Sequence, residues 1–351
     1  MRYRFIADVH LDNHRIGAGQ IVGSINARGF AVLDALRFAA GTDAKLVGLG
    51  DIFDTARPIP QLIGSVARIL KGKQAISIVG NHDRNSDHPD DHALFALEGV
   101  VDVVSTPRIV DGLLMIPFSA EPASEYIPAA MESASWDGDF KAVCFHAGVY
   151  AKGDFKLWDY TKSHDAISLD TVVEACREVG ATRVFCGNWH EHKQWDCGDV
   201  LVTQVGALAP TGWDNPGTDS YGYCADYDSA TGEVVPVRVP GPVFVECSPG
   251  EIARWTEYSD HGVFLRVSVN GETRAAVSEL AVRAAAGNLG SIRYIGLVEE
   301  PDVNNALVHK AVTNVKSQAT MLDAIERATE LLRASDRMKQ RIKHDLIRRL
   351  I

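Results

Sequence analysis

No apolar run in this chain reaches the roughly 18 residues that a membrane-crossing helix needs, so no membrane partner is expected. Cysteine is sparse and scattered: Cys144, Cys176, Cys186, Cys197, Cys224 and Cys247 contain no CxxC pair. That spacing argues against a disulfide framework and fits a reducing cytoplasm, with thiols used as small apolar side chains. Cys186, His190, His192 and Cys197 are the one set that hints at thiolate zinc, and the two histidines have a better use. Positive charge is also short, with 35 Lys and Arg against 46 Asp and Glu and a net charge of −11. Phosphate contacts need Lys and Arg, so this weighs against a nucleic-acid partner, unless bound cations reverse the local field. No fixed-period repeat or low-complexity tract is found. The opening residues reach Asp8 too soon for a signal peptide and read as a first strand.

What is present is an ordinary globular composition, 46 % hydrophobic and 23 % charged. A length of 351 residues suggests about two domains. Strand-like and helix-like runs alternate. Residues 3–7, 45–49, 75–79, 113–117, 141–145, 182–186 and 200–204 read as strands. Helical spacing marks 28–40, 61–70, 92–97 and 169–179. The pattern predicts an α/β domain with helices covering a sheet, closed by strands at 221–227 and 233–239, with a surface loop at 214–219. Pro240-Gly241-Pro242 is the strongest boundary signal. Beyond it, strands at 243–247, 263–269 and 292–298 with a helix at 273–286 predict a small α+β unit, and the chain from about 304 reads as helix. The expected division is 1–240, 241–303 and 304–351.

Chemistry collects at the strand ends. The run before Gly80 is a buried strand, and Gly80-Asn81-His82-Asp83 follows it without a gap. In open α/β sheets ligands bind outside the carboxyl ends of strands. The first strand delivers Asp8-Val9-His10, whose side chains at i and i+2 share one side of an extended segment. The second delivers Gly50-Asp51-Ile52-Phe53-Asp54, where the Asp51 carboxylate is placed to bridge two cations. The strand at 141–145 ends in His146-Ala147-Gly148, and that at 182–186 in Gly187-Asn188-Trp189-His190-Glu191-His192. For any one of these motifs a hydrogen-bonded polar turn is an ordinary reading. Five in chain order, with nitrogen and oxygen donors and no thiolate, point to metals such as manganese, iron or zinc and to a two-ion clamp for attack on phosphorus.

The order DxH, GD, GNHD, His and a His-containing turn resembles the calcineurin-like metallophosphoesterases over about residues 1–239. Leu11 after the first motif, the stretch Gly50-Asp51-Ile52-Phe53-Asp54-Thr55-Ala56-Arg57-Pro58, and the extra C-terminal unit resemble the SbcD-type nuclease branch. The resemblance implies a β-sandwich flanked by helices, a small α+β capping domain and a C-terminal helical segment. It implies two divalent ions, manganese foremost. The first would be held by Asp8, His10, Asp51 and His192, the second by Asp51, Asn81, His146 and His190. His82 would face the scissile phosphate and Asp83 would orient His82. The implied activity is a DNA exonuclease or endonuclease acting with an SbcC-type ABC ATPase in end processing, as a homodimer.

The last motif departs from the family's GHxH. Either the loop is longer by two and His190 with His192 forms the pair, which is the preferred reading, or Asn188 replaces the first histidine and His190 is the second. Trp189 and Trp195 read as packing residues ahead of base-stacking platforms. His14, His88, His92 and His164 read as loop histidines, one of the middle pair being a candidate for substrate contact, and Asp54 has no assigned role. In the tail, Met338, Ile342, Leu346, Ile347 and Leu350 form an apolar stripe among Arg and Lys, the expected ATPase-docking face. Two other functions remain open: a phosphatase or phosphodiesterase on non-DNA substrates, and a non-catalytic subunit that binds DNA or recruits the ATPase.

Overall fold

The strands that precede the polar motifs are apolar on both faces, as strands covered on two sides must be. In β1 (Arg2–Ile6), Tyr3 and Phe5 point one way and Ile6 the other. The alternation continues through β2 (Lys45–Gly48), β3 (Ala75–Ile78), β4 (Ala142–His146) and β5 (Arg183–Gly187). Val47, Ile76, Ile78, Cys144 and Phe185 join Phe5 in one buried cluster. Leu46 and Ala75 pack in a second, and Val143, Phe145, Val184 and Cys186 in a third. The computed structural model describes residues 1–12, 21–135, 140–152, 164–213, 222–258 and 261–299. In it this pattern becomes two six-stranded sheets with helices outside both.

The first sheet runs Glu233–Arg238, Tyr223–Asp228, β1, β2, β3, Val101–Val104. The second runs Lys193–Asp196, Leu201–Gln204, β5, β4, Leu113–Ile116, Arg108–Val110. The motif-bearing strands are parallel to their neighbours β1–β2–β3 and β4–β5; antiparallel pairs close three of the edges, and Val101–Val104 closes the fourth parallel to β3. Parallel strands put all their carboxyl ends at one edge, which is why motifs 180 residues apart in sequence meet. Phe5 and Phe185 stack between the sheets at a centroid distance of 3.8 Å. Helices α1 (Ala27–Ala40) and α2 (Pro60–Leu70) cover the first sheet. Helices α3 (Ala123–Ser135) and α4 (Leu169–Val179) cover the second. The Asn26 side chain caps α1 by accepting the Gly29 N–H at 2.8 Å, and Ser168 caps α4 by accepting from Thr171.

The predicted small unit follows. Its strands Val243–Cys247, Val263–Val269 and Ile292–Glu299 are all parallel, joined by a 3₁₀ helix (Pro249–Trp255) and by α5 (Arg274–Ala285), around its own apolar cluster. The Trp213 indole N–H donates to the Val245 carbonyl, its ring meets Phe244 edge-on, and the Arg28 guanidinium lies over Phe244. The loop expected at 214–219 and the helical segment expected from 304 lie outside the described residues. No helix among the described residues is long and apolar enough to cross a membrane.

Several elements were not anticipated. Helix α3 carries Pro128 inside it, a residue that argues against helix in sequence. It forms because Ala123, Ile127, Ala130, Met131 and Ala134 bury one stripe against the second sheet. Lys193–Asp196 is polar and forms only as an edge strand against Leu201–Gln204. The helix expected at 92–97 is a single 3₁₀ segment, Ala93–Leu97.

Candidate metal centre

The turns after β1 and β2 run side by side. The Asp8 N–H donates to the Gly50 carbonyl, the His10 N–H to Asp51, and the Leu11 N–H to Ile52. Asp8, His10 and Asp51 have φ of 48°, 46° and 54°, and Asn188 has 87°. Non-glycine residues rarely hold that conformation, and where they do the strain clusters at functional sites. Asp8 and His10 therefore converge through left-handed backbone, not through the extended segment expected from their spacing. Two glycines permit the crowding. A Cβ on Gly50 would strike the His146 ring, and one on Gly80 would fall on the Asp51 carboxylate and N–H.

Three overlapping donor groups result, Asp8 with His10 and His190, His10 with Asp51 and His82, and Asp8 with Asp51 and His146, their ligand atoms within 4.8 Å of one another in each. Asp51 belongs to two of them, its Oδ2 3.2 Å from His146 Nε2 and 3.7 Å from His10 Nε2. Asn81 Oδ1 lies 2.8 Å from His146 Nε2. His10 Nε2 and His190 Nε2 face each other at 3.0 Å. Second partners fix the rings. His146 Nδ1 donates to the Leu49 carbonyl at 2.7 Å, and His10 Nδ1 donates to the Asp54 carboxylate at 2.6 Å. With Nδ1 committed to acceptors, each neutral ring turns its Nε2 lone pair toward the centre, the arrangement that ligating imidazoles require. The donor chemistry thus fits divalent cations held by Asp8, His10, Asp51, Asn81, His146 and His190.

The structure departs from the expected roles at three places. His190, and not His192, joins Asp8 and His10. His192 is turned away, its Nδ1 donating to the Val205 carbonyl at 3.1 Å and its ring stacked on Tyr223. Burial holds the His192 pKa below its usual value. The loop is anchored by Ala207 N–H on the His190 carbonyl and Gln204 Nε2 on the Glu191 carbonyl, so the two histidines do not share a face. His190 thus stands where the alternative reading, with Asn188 in the first position, expects it.

Asp83 does not touch His82. It is fully buried and accepts three backbone N–H groups, from Asp51 (2.8 Å), Phe53 (3.0 Å) and Gly80 (3.1 Å). It is a clamp between the second and third motif loops. Burial and the Asp51 charge push its carboxyl up to about 7, against the pull of those N–H groups.

Asp54 takes the orienting role. Its carboxylate reaches His10 and lies 3.3 Å from His82 Nδ1, and its carbonyl lies 3.2 Å from the same atom. The His82 side chain is 42 % exposed and its ring meets His10 edge-on. The hydrogen bond to Asp54 holds its pKa up at about 9. The sequence signal for Asp54 was its place three residues after Asp51, but no spacing rule says which histidine it reaches.

His92 and His88 play structural or peripheral parts, and His14 lies outside the described residues. His92 Nδ1 accepts the Phe95 N–H and caps the short 3₁₀ helix, and His88 lies exposed in its turn. The Trp189 indole lies on Gly148, where a Cβ would overlap its ring, and Trp195 packs against the cluster under α3 and α4. Cys186 is buried in that same cluster, and no cysteine joins a donor group among the described residues.

Charge in the centre makes cation entry pH-dependent. Burial opposes a charge on His146, but the Asp51 carboxylate outweighs it and holds the ring's pKa up at about 10. His10 is raised likewise, burial being outweighed by Asp54, Asp51 and Asp8 together. A cation needs the Nε2 lone pair, so its binding displaces the proton. Manganese titrations by calorimetry at pH 7, in two buffers of different ionisation enthalpy, should report release of about one proton or more. Affinity should climb with pH by up to about tenfold per unit, levelling as pH approaches the His146 value. Buffer-independent heats and a flat pH profile would exclude His146 as a donor.

No protein-family profile and no curated protein sequence matches the chain. Among solved structures it is similar to an archaeal phosphodiesterase at 11 % identity, covering 68 % of this chain and 99 % of that one, with a TM-score of 0.34. A protein assigned as a 5′-nucleotidase of Staphylococcus aureus, in complex with alpha-ketoglutarate, matches at 11 % identity over 68 % of this chain and 53 % of that one, TM-score 0.41. GAP50, the anchor in the inner membrane complex of Plasmodium, matches at 10 % identity over 86 % and 98 %, TM-score 0.39.

Proposed function

We propose that the chain is a two-metal phosphodiesterase acting on DNA, the nuclease partner of an SbcC-type ABC ATPase. One observation carries the hydrolytic reading: nitrogen and oxygen donors from five separate strand ends meet around Asp51, with no thiolate among them. Such a set suits Mn, Fe or Zn. When bound, the ions supply a clamp for an in-line displacement and lower the pKa of water. The chain's own groups do the rest. Asp8, His10, Asp51, Asn81, His146 and His190 form the cradle. Asp54 fixes the His10 and His82 rings. His82, open to solvent and held by Asp54, is the group able to stabilise or protonate a leaving oxygen.

The DNA substrate and the ATPase partner rest on the Gly50 to Pro58 stretch and on the unit after Pro240, which a minimal phosphatase does not need. Manganese as the native ion, the homodimer and docking through the tail belong to the same proposal. The test is cleavage of linear duplex DNA with Mn²⁺, with and without chelator, beside a simple phosphomonoester and a simple phosphodiester. Chelator-sensitive DNA cleavage supports the nuclease. Hydrolysis of the small esters with DNA untouched gives the phosphatase reading its place, and no hydrolysis of any substrate leaves the binding-subunit reading.

A second experiment isolates His82. His82→Ala should retain its bound manganese and its DNA affinity while turnover falls about 10²–10⁴-fold, the usual size of a lost acid–base group. If metal analysis shows an ion missing from the variant, His82 is a ligand and this role is wrong.

A further inference from the structure

The Nδ1 atoms of the three cradle imidazoles are held in different ways. His10 meets the Asp54 carboxylate and His146 the Leu49 carbonyl, both groups that only accept. His190 Nδ1 lies 3.1 Å from the Thr211 hydroxyl, a group that accepts or donates as its rotor turns. Thr211 belongs to none of the strand ends that carry the donors. It lies on the stretch after Leu201–Gln204, which runs past the centre: the Ala207 N–H donates to the His190 carbonyl and the Leu208 N–H to the Ala7 carbonyl. That stretch is gripped from two sides. Arg28, in the first turn of α1, donates to the Thr211 carbonyl, and its guanidinium lies over the Phe244 ring at 5.4 Å. Two residues on, the Trp213 indole N–H donates to the Val245 carbonyl at 3.3 Å. The Trp213 ring meets Phe244 edge-on, with centroids 5.1 Å apart, and the Arg266 guanidinium covers it at 4.0 Å. Phe244 and Val245 stand on the first strand of the small unit and Arg266 on the second. The small unit and α1 therefore place Thr211, and the Thr211 hydroxyl meets the ring of a candidate ligand.

We propose that Thr211 is the positioning residue of His190, accepting its Nδ1–H so that Nε2 offers a lone pair beside Asp8 and His10, and that the grip of the small unit on residues 211–213 sets where the hydroxyl stands. This rests on the two-metal reading above and deepens it. The small unit then acts on the centre through one ring. A hydroxyl in place holds the tautomer and orientation that a ligating imidazole requires. A hydroxyl displaced with the small unit leaves His190 free to turn or to keep its proton on Nε2. His10 and His146 are outside this control, because Asp54 and Leu49 both follow β2 in the main body. The cation held by His190 is therefore the one whose affinity follows the small unit, and the cation held by His146 is not.

The test is a manganese titration of the full chain by calorimetry, with cobalt(II) absorption reporting ligand geometry and thermal melting showing that each variant stays folded. Thr211→Val keeps the shape of the side chain and removes the hydroxyl. It should weaken one of the two binding steps by about 10–100-fold, leave the other unchanged and alter the cobalt spectrum. Thr211→Ser restores a hydroxyl and should bring binding and spectrum back to near wild type. Trp213→Phe keeps a ring against Phe244 but gives up the N–H to Val245, and it should weaken the same step by a smaller factor. Because Trp213 acts through Thr211, adding Trp213→Phe to Thr211→Val should cost nothing further. Unchanged steps in Thr211→Val, equal weakening of both, or no rescue by serine would overturn the positioning role. Additive losses in the double variant would overturn the link to the small unit. A wild-type chain that binds no manganese would instead overturn the two-metal reading itself.

Discussion

Asp51→Asn should lose both cations and with them essentially all hydrolysis. The carboxylate stands 3.2 Å from His146 Nε2 and 3.7 Å from His10 Nε2, so it lies between the two imidazoles. A neutral amide of the same shape keeps the volume and removes the charge. It also presents NH₂ where one oxygen stood, against imidazole nitrogens that must offer lone pairs inward. Its other oxygen, Oδ1, still accepts the His82 N–H that Asp51 accepts at 2.9 Å, so the third motif loop should keep its place. Metal analysis after manganese loading should show no bound ion, and phosphodiester hydrolysis should fall by more than about 10³-fold, beyond the loss of a single stabilising group. Two ions bound to the variant at wild-type affinity would remove Asp51 from the bridging position.

Asp83→Ala should have the largest effect on stability. The N–H groups of Asp51, Phe53 and Gly80 all end on this buried carboxylate. Removing it leaves three buried donors without their carboxylate acceptor, at about 1–3 kcal/mol each. The sum is comparable with the whole stability of an ordinary domain, about 5–15 kcal/mol. Thermal unfolding should therefore move down by more than about 10 °C, or the variant should fail to fold. Asp83→Asn keeps one oxygen as acceptor and should fall between the two, which makes the series readable even if the alanine variant is insoluble. An unchanged melting temperature with lost turnover would instead return Asp83 to the role of orienting His82.

Much of the centre was legible because its donors stand at the ends of strands that advertise themselves. Residues 45–49 and 75–79 are short apolar runs closed by glycine, and a parallel sheet gathers such ends at one edge. Asp8, His10, Asp51, Asn81 and His146 were named by that logic, although Asp8 and His10 converge through left-handed backbone and not the extended segment expected. His190 and His192 did not yield to it. Two residues apart, they share a side only if the backbone between them is extended, and here the loop is pinned by Ala207 and Gln204 so that His192 lies against Tyr223. Asp83 was expected beside His82 for a similar reason, and Asp54 had no assigned role. Adjacency in sequence favoured Asp83 as the partner of His82, but the turn at Gly80 drives Asp83 inward while Asp54 arrives from another strand. Helix α3 was hidden by Pro128, since propensity sees the proline and not the sheet that the helix covers.

The sequence by itself determined the layered α/β class, the order of the strands along the chain and the nitrogen-and-oxygen character of the donors. These follow from local composition and from period-two burial, which a linear pattern records. The tertiary structure alone decided which histidine completes each donor group, which carboxylate holds which ring, and that the Thr211 hydroxyl meets the His190 ring. Those choices depend on distances of about 3 Å between segments up to 180 residues apart and on left-handed backbone at Asp8, His10, Asp51 and Asn188. Hydrogen-bond energy falls away within fractions of an ångström, whereas sequence spacing specifies position only along the chain.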